Sequence, residues 1–376
     1  MKKTITNILL SAFVLCSCAQ GSAPFPTVTL PYLIATTSTA TEFSTATNDA
    51  TDASVFTDLE LSCETFVETR WGNGVNEFGF NENPPNYQSP GPATPTFDVQ
   101  GNMFIADWAN ERILVYPKGE KTPKIIHVPD LYEPEFLPGT DYWWSNIIVS
   151  MDRIFFLTVG VKDKRNIPRL FALSLKDNGL TKIDLEPYYS PTTNSARLLE
   201  DTHGGVYIFM MNFLVHYDKD LHPDLLASDE LEKFFYIVRG WDGNLYTAGE
   251  PDVIKNWGVD ARFNEYPEYV FQDVHATLTG SKDKSVHYIP IGADSAGKLY
   301  FVRFFQLYDE AKNEVDIIRF DVQTRTGEFG KIKNKEWLSY YHDYVLAPDG
   351  SLYSLIYAPK DSSVQPKIIK CSFGSL

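Results

Sequence analysis

The chain of 376 residues has only four cysteines, and its 33 lysines and arginines are outnumbered by 49 aspartates and glutamates, for a net charge of −16. Each shortage excludes something. Cys16 and Cys18 lie at the N-terminus, so the body of the chain keeps Cys63 and Cys371 alone, too few for a cysteine-based zinc site. No CxxC, HExxH, Walker-type phosphate loop or GxSxG occurs. Phosphate binding needs a basic surface, so nucleic acid is not a partner of so acidic a chain, and an anionic membrane surface would repel its folded part. The apolar run Ile8–Cys16, broken by Ser11, is far shorter than the ~20 residues of a membrane span.

That run follows the basic head Met1-Lys2-Lys3 and reads as a secretory signal over residues 1–18. Leu15-Cys16-Ser17-Cys18 resembles a bacterial lipobox, departing from it at Cys16, where Ala, Ser or Thr is usual. The resemblance implies acyl chains on Cys18, each buried CH₂ contributing ~0.8 kcal/mol to anchoring. The mature protein would then be exported and held on the outer side of a bacterial cytoplasmic membrane or in the envelope; an ordinary signal peptide cut nearby is the other reading. Cleavage removes Lys2 and Lys3, leaving 49 acids against 31 bases, or −18. Residues 19–60, with Thr36-Thr37-Ser38-Thr39-Ala40-Thr41, are small and polar without apolar period and read as a flexible tether.

The chain holds 21 tyrosines and 25 phenylalanines, most of them between residues 61 and 376, which favours a large β core there. Residues 95–128 read as one four-stranded antiparallel sheet: Thr96–Val99, Met103–Asp107, Arg112–Tyr116 and Lys124–Val128, with turns at Gln100-Gly101-Asn102, Trp108–Glu111 and Pro117–Lys121. Gly101-Asn102 before the second strand, with Ala106-Asp107, Asn110 and Arg112-Ile113 around the next turn, resembles the NHL repeat of bacterial β-propellers. Trp71-Gly72-Asn73-Gly74 and Glu77-Phe78-Gly79 look like the loop leading into it. The resemblance implies a propeller, and the hairpin recurs in looser form. Measured from Gly101, Arg153, Gly205, Gly243, Gly297 and Gly350, its spacings are 52, 52, 38, 54 and 53, which predicts an all-β, six-bladed propeller of four-stranded antiparallel blades.

Thr65–Arg70 is a strand without a sheet, and Lys367–Phe373 is a last strand without a fourth partner. The N-terminal strand is therefore expected to complete the last blade and close the ring. Antiparallel neighbours bring Cβ atoms within disulfide range, and an exported protein meets an oxidising compartment. Cys63 and Cys371 are expected to pair, with two buried thiols as the other reading.

Loops into the inner strands and between second and third strands gather on one face of a propeller. Trp108 and Asn110, Tyr142, Trp143 and Trp144, His287 and Tyr288, and Tyr341, His342 and Asp343 are the candidate binding residues there. Flat rings with a few polar groups suit a glycan or a protein; packing between blades is the other use of such rings. Asp107 and Asn110 are expected to accept backbone hydrogens in a turn, and Arg112 to pair between neighbouring blades. The leading expectation is a lipid-anchored, monomeric binding or scaffold module for a protein or glycan, without catalytic residues or cofactor. The alternative, implied by fold resemblance alone, is a divalent-metal hydrolase or lactonase holding calcium in the channel, for which Asp343, Asn194, Asn146 and Glu200 are the nominees.

Overall fold

A strand turns successive side chains to opposite faces, and here both faces of the central strands are buried. Met103 and Ile105 pack with Leu114, Val67, Leu355 and Ile368, whereas Phe104 and Ala106 pack on the other side with Ile113, Val149, Ile154 and Phe156. In the next sheet, Ile154 and Phe156 belong to that second cluster, while Phe155 and Leu157 join a third with Leu198, Val206 and Ile208. Each core is thus shared by two adjacent sheets. This is why these strands read as unbroken apolar runs, with each fully buried side chain contributing roughly 1.5–3 kcal/mol.

The computed structural model describes residues 55–81, 91–128, 142–143, 147–162, 165–183, 185, 196–201, 203–210, 213–225, 237–240, 244–249, 253–256, 268–270, 284–307, 314–321, 323–324, 326–331, 344–357 and 363–374. Cys18, Trp144, Tyr341, His342 and Asp343 lie outside them, as do residues 1–54. Among the described residues no helix is long and apolar enough to cross a membrane.

The fold is all-β, a propeller arrangement of four-stranded antiparallel blades. The first blade is Thr96–Phe97, Met103–Asp107, Arg112–Tyr116 and Lys124–His127. The second is built on Arg153–Lys162, Arg165–Ser174 and Leu180–Ile183, with Tyr142–Trp143 and Ile148–Ser150 both along its inner edge. The third runs through Ala196–Glu200, Val206–Met210, Phe213–Tyr217 and Pro223–Leu225, and the fourth through Ile237–Arg239, Leu245–Gly249, Val253–Asn256 and Glu268–Val270.

The remaining strands depart from the expectation of six separate sheets. Lys284–Ala293, Lys298–Leu307, Glu314–Asp321 and Thr326–Lys331 share one eight-stranded sheet with Tyr344–Leu346, Leu352–Ile356, Lys367–Phe373 and the N-terminal strand Val55–Glu68. Among the described residues there are therefore five sheets of four or more strands. The cause is the N-terminal strand: Val55–Glu60 pairs in parallel with Thr326–Lys331, and Leu61–Glu68 pairs antiparallel with Lys367–Phe373. That strand begins six residues inside the stretch expected to be tether. In the antiparallel part Cys63 stands opposite Cys371, and the two form a disulfide with Cα atoms 4.0 Å apart, which points to an oxidising compartment.

Turn chemistry between first and second strands repeats. Asp98, Asp201, Asp294 and Ala347 each accept, on the backbone carbonyl, the N–H of a glycine three residues on, and Gly101, Gly204, Gly297 and Gly350 all have φ between +82° and +98°. Such a φ favours glycine. In the third blade the glycine that needs it is Gly204, one residue before Gly205, from which the sequence spacing was measured.

Candidate functional site

The best-defined loop face lies where the N-terminal strand hands over to the first blade. Residues 69–81 leave Val55–Glu68, and their strand pair Arg70–Trp71 and Glu77–Phe78 is parallel. They meet two connections of the same kind, the second-to-third strand turn of the first blade and the stretch after Tyr357 in the last. Trp71 donates its indole N–H to Val364 O at 2.9 Å; its ring lies 4.7 Å from Phe80 and 5.7 Å, edge-on, from Tyr357. Gly91 slips beneath, for a Cβ there would stand 3.0 Å from the Tyr357 ring and 3.3 Å from Trp71. The three rings are half-buried; Val364, whose carbonyl takes the Trp71 N–H, is 44% exposed, and Val75, in the same lead-in loop as Trp71, is 50% exposed.

Arg112 fixes this loop from within. Its Nη1 donates to Asn73 O at 2.9 Å, its Nη2 to Gly74 O at 2.9 Å and Glu77 O at 2.7 Å, and its Nε pairs with Asp107 at 2.8 Å. Asp107 also accepts the Gly79 N–H at 2.8 Å and the Asn110 amide at 2.9 Å, and Asn110 donates to Gly72 O as well. Arg112 and Asp107 are buried, where loss of one partner of such a pair costs about 3–5 kcal/mol. A Cβ on Gly79 would stand 2.6 Å from the Ala109 Cβ, so the loop sits flush on the turn. With the guanidinium spent on lead-in carbonyls and on Asp107, Arg112 pairs inside its own blade instead of between blades, and Asn110 donates where it was expected to accept. On the exposed rim, Arg70 and Glu77 pair at 2.6 Å; the Gly74 N–H and Arg70 hold the Glu77 carboxyl below its usual range.

Of the candidate binding residues, Trp108 and Asn110 lie on this face, in the short 3₁₀ turn Trp108–Asn110. Trp108 packs on the core between the first two blades. Tyr142 and Trp143 pair with Val159 and Thr158, and His287 and Tyr288 with Phe304 and Arg303; the structure does not bring them to the Trp71 cluster. Trp71, Phe80 and Tyr357 were missed as a site. The lead-in loop itself was legible, but the partnership of Trp71 with Tyr357, nearly three hundred residues away, leaves no local pattern.

A buried charge cluster lies at the opposite end of the inner strands. Asp201 is buried at the end of Ala196–Glu200 and binds His216 Nε2 at 2.8 Å, Arg239 Nη1 at 3.0 Å, the His203 N–H at 3.0 Å and His203 Nδ1 at 3.3 Å. Burial alone would raise its pKa, yet His216, the His203 N–H and Arg239 together hold it far below the carboxylate range. Tyr207 stacks on His216 at 4.3 Å, Arg239 lies over Tyr207, and Ser150 donates to the Asp201 carbonyl. The knot ties the second, third and fourth blades. Beside it Glu200 keeps a buried Oε1 with no hydrogen-bond partner among the described residues. Burial pushes its pKa up to about 7; Asp98 and Asp201 add to the rise, and Arg239 opposes it.

Glu200 is the only described residue among the four nominated metal ligands, and Arg239 already supplies positive charge against it, so its surroundings fit a proton better than a divalent cation. Asp218, Asp220 and His222 bring ligand atoms within 4.8 Å of one another. They occupy an outer turn of the third blade, where Asp218 accepts the N–H groups of Asp220 and His222 at 2.8 Å, and that turn geometry accounts for their convergence.

No protein-family model matches the chain, and no curated protein sequence does. Among solved structures the chain is similar to a streptogramin B lyase at 14% identity, covering 84% of this chain and 98% of that one with a TM-score of 0.42. It is similar to the calcium-binding protein regucalcin from Agrobacterium tumefaciens at 15% identity, covering 82% and 95%, TM-score 0.40. A soluble aldose sugar dehydrogenase from Escherichia coli in the apo-form overlaps at 12% identity, covering 84% and 100%, TM-score 0.44. Overlaps this loose leave the fold to be established by strand order and shared cores.

Proposed function

We propose that this chain is a lipid-anchored binding or scaffold module of the bacterial cell envelope, a closed six-bladed propeller that presents an aromatic loop face to a protein or glycan. In this reading the eight-stranded sheet is two blades fused through Val55–Glu68. The six inner strands support it: Tyr344–Leu346 lies against Thr96–Phe97, and Ile148–Ser150, Ala196–Glu200, Ile237–Arg239 and Lys284–Ala293 come next in turn, the last returning to Tyr344–Leu346. Acyl chains on Cys18 hold the molecule at the membrane, with the tether between anchor and ring.

The observation that carries the binding reading is the lead-in loop, prebuilt on Arg112 and displaying Trp71, Phe80 and Tyr357. Rigid rings give up little entropy on contact, and a loop already fixed loses little more. A glycan array and an array of envelope proteins, probed with full-length protein in detergent, test it. A ligand whose affinity falls at least tenfold in Val75→Asp or Val364→Asp, with an unchanged unfolding midpoint, is the expected result. Ligands that ignore both substitutions would place binding elsewhere.

The second reading, a hydrolase or lactonase using divalent metal in the channel, rests on the buried Oε1 of Glu200, which has no hydrogen-bond partner among the described residues, and has the neighbouring Arg239 against it. Calcium binding to the folded state would raise the unfolding midpoint by mass action, and chelator would reverse it. No dependence on calcium would leave Glu200 a protonated structural acid.

A further inference from the structure

The outer strands of the blades differ in a way that bears on what can pair with them. An outer strand exposes unpaired backbone groups, and natural sheets blunt such edges with short strands, lysine or proline. Lys124–His127 and Leu180–Ile183 have four residues each, Pro223–Leu225 and Glu268–Val270 three. Three of these contain lysine or proline. Thr326–Lys331, TGEFGK, is longer at six residues, and it is the edge that another segment covers: Val55 to Glu60 pair with Thr326 to Lys331, residue for residue, in parallel.

The covering segment is held to the ring differently from the second half of the same strand. At Glu60 to Leu61 the strand changes partner, from the parallel ladder to the antiparallel ladder with Lys367–Phe373. The disulfide at Cys63 fixes the antiparallel half covalently. It does not reach the parallel half. Six residues of Val55–Glu68 can therefore leave Thr326–Lys331 while Leu61–Glu68 stays clasped, and the acceptor strand keeps its antiparallel partner Glu314–Asp321.

We propose that the edge of Thr326–Lys331 is a strand-accepting site whose occupant exchanges between copies, Val55–Glu60 filling it within one chain or, reciprocally, in a second copy. The occupant is the same segment because every copy carries the strand already matched in register to this edge. Exchange breaks and remakes the same six pairs, so the equilibrium is set by association alone and shifts with concentration, the usual thermodynamics of swapped elements. The monomer expected from sequence is the dilute member of this pair of states. Copies tethered to one membrane would be at high local concentration.

Full-length protein in detergent, bearing Asp58→Cys and Phe329→Cys at facing register positions, tests the exchange. Two differently tagged preparations are mixed at low and at high concentration, left to equilibrate and oxidised, and the new crosslinks are mapped by mass spectrometry. Intrachain links at low concentration and mixed-tag interchain links that increase several-fold on tenfold concentration are expected. Intrachain links alone at every concentration would overturn the proposal. Because added cysteines can scramble with Cys63 and Cys371, light scattering on proteins without them supplies an independent check. Wild type should form dimers at high concentration and Leu59→Pro should not, while staying folded with the Cys63–Cys371 disulfide closed. A wild type monomeric throughout, or a dimer that survives Leu59→Pro, would overturn it as well.

Discussion

Arg112 shows how much one side chain can hold. It is buried, its charge is met by Asp107, and three lead-in carbonyls depend on it. Arg112→Ala would leave the buried Asp107 carboxyl without its ion-pair partner, and a loss of about 3–5 kcal/mol is expected in chemical denaturation. Arg112→Lys, without the planar fork, should recover only part of it. Glu200 gives a prediction with a sign. Its pKa rises from 4.5 to about 7 in the folded state, so between those values the folded protein holds a proton that the unfolded chain has released. Stability then falls as pH rises through that window, by at most on the order of 3 kcal/mol. Glu200→Gln should be more stable than wild type at pH 8 and equal to it near pH 4; equal stability at both would show that Glu200 ionises freely. Asp201 acts oppositely, contributing stability above its ordinary value of 3.8 that is lost only as pH falls through its much lower folded value. Of these residues, Asp107, Asn110 and Arg112 were legible as a turn because they are close in sequence. The knot around Asp201 was not, since its members Ser150, His216 and Arg239 come from three blades and nothing in their spacing links them.

Among elements, Val55–Glu68 has the largest consequence. Its disulfide spans a separation of 308 residues, for which loop entropy alone would give about 6 kcal/mol. Cys63→Ser with Cys371→Ser should lower the denaturation free energy by about 2–5 kcal/mol, and labelling of unfolded, non-reduced wild type should modify neither cysteine. Labelling of both would remove the clasp. The turn glycines give a sharper local test. A Cβ on Gly205 would stand 2.1 Å from the backbone carbonyl oxygen of Tyr217, whereas at Gly119 it meets nothing within 4 Å. Gly205→Ala should therefore cost several kcal/mol, and Gly119→Ala, strained only by its φ of +77°, about 1 kcal/mol. The hairpins were readable because turn residues and strand periodicity are local signals. The extension of the N-terminal strand back to Val55 was hidden, for those residues come after a Thr- and Ser-rich stretch and their partner lies some 270 positions away in the chain.

At the scale of the molecule, the repeat of turn and strand foretold the propeller architecture and the meeting of first and last strands. It did not foretell that the last two units share one sheet, because a parallel pairing between the ends of the chain has no periodic signature. The closed ring proposed here requires the N-terminal strand as an integral part of it, since that strand pairs with both halves of the eight-stranded sheet, carries the disulfide and leads into the aromatic face. Amide hydrogen exchange on oxidised full-length protein tests this most directly. The prediction is that amides of Leu61–Glu68 which donate to the sheet exchange as slowly as those of Phe155–Leu157 in the second blade, opening only with global unfolding. Fast exchange of Leu61–Glu68 while the second blade stays protected would mean that this strand is not part of the ring, and would contradict the closed propeller and the face built on it.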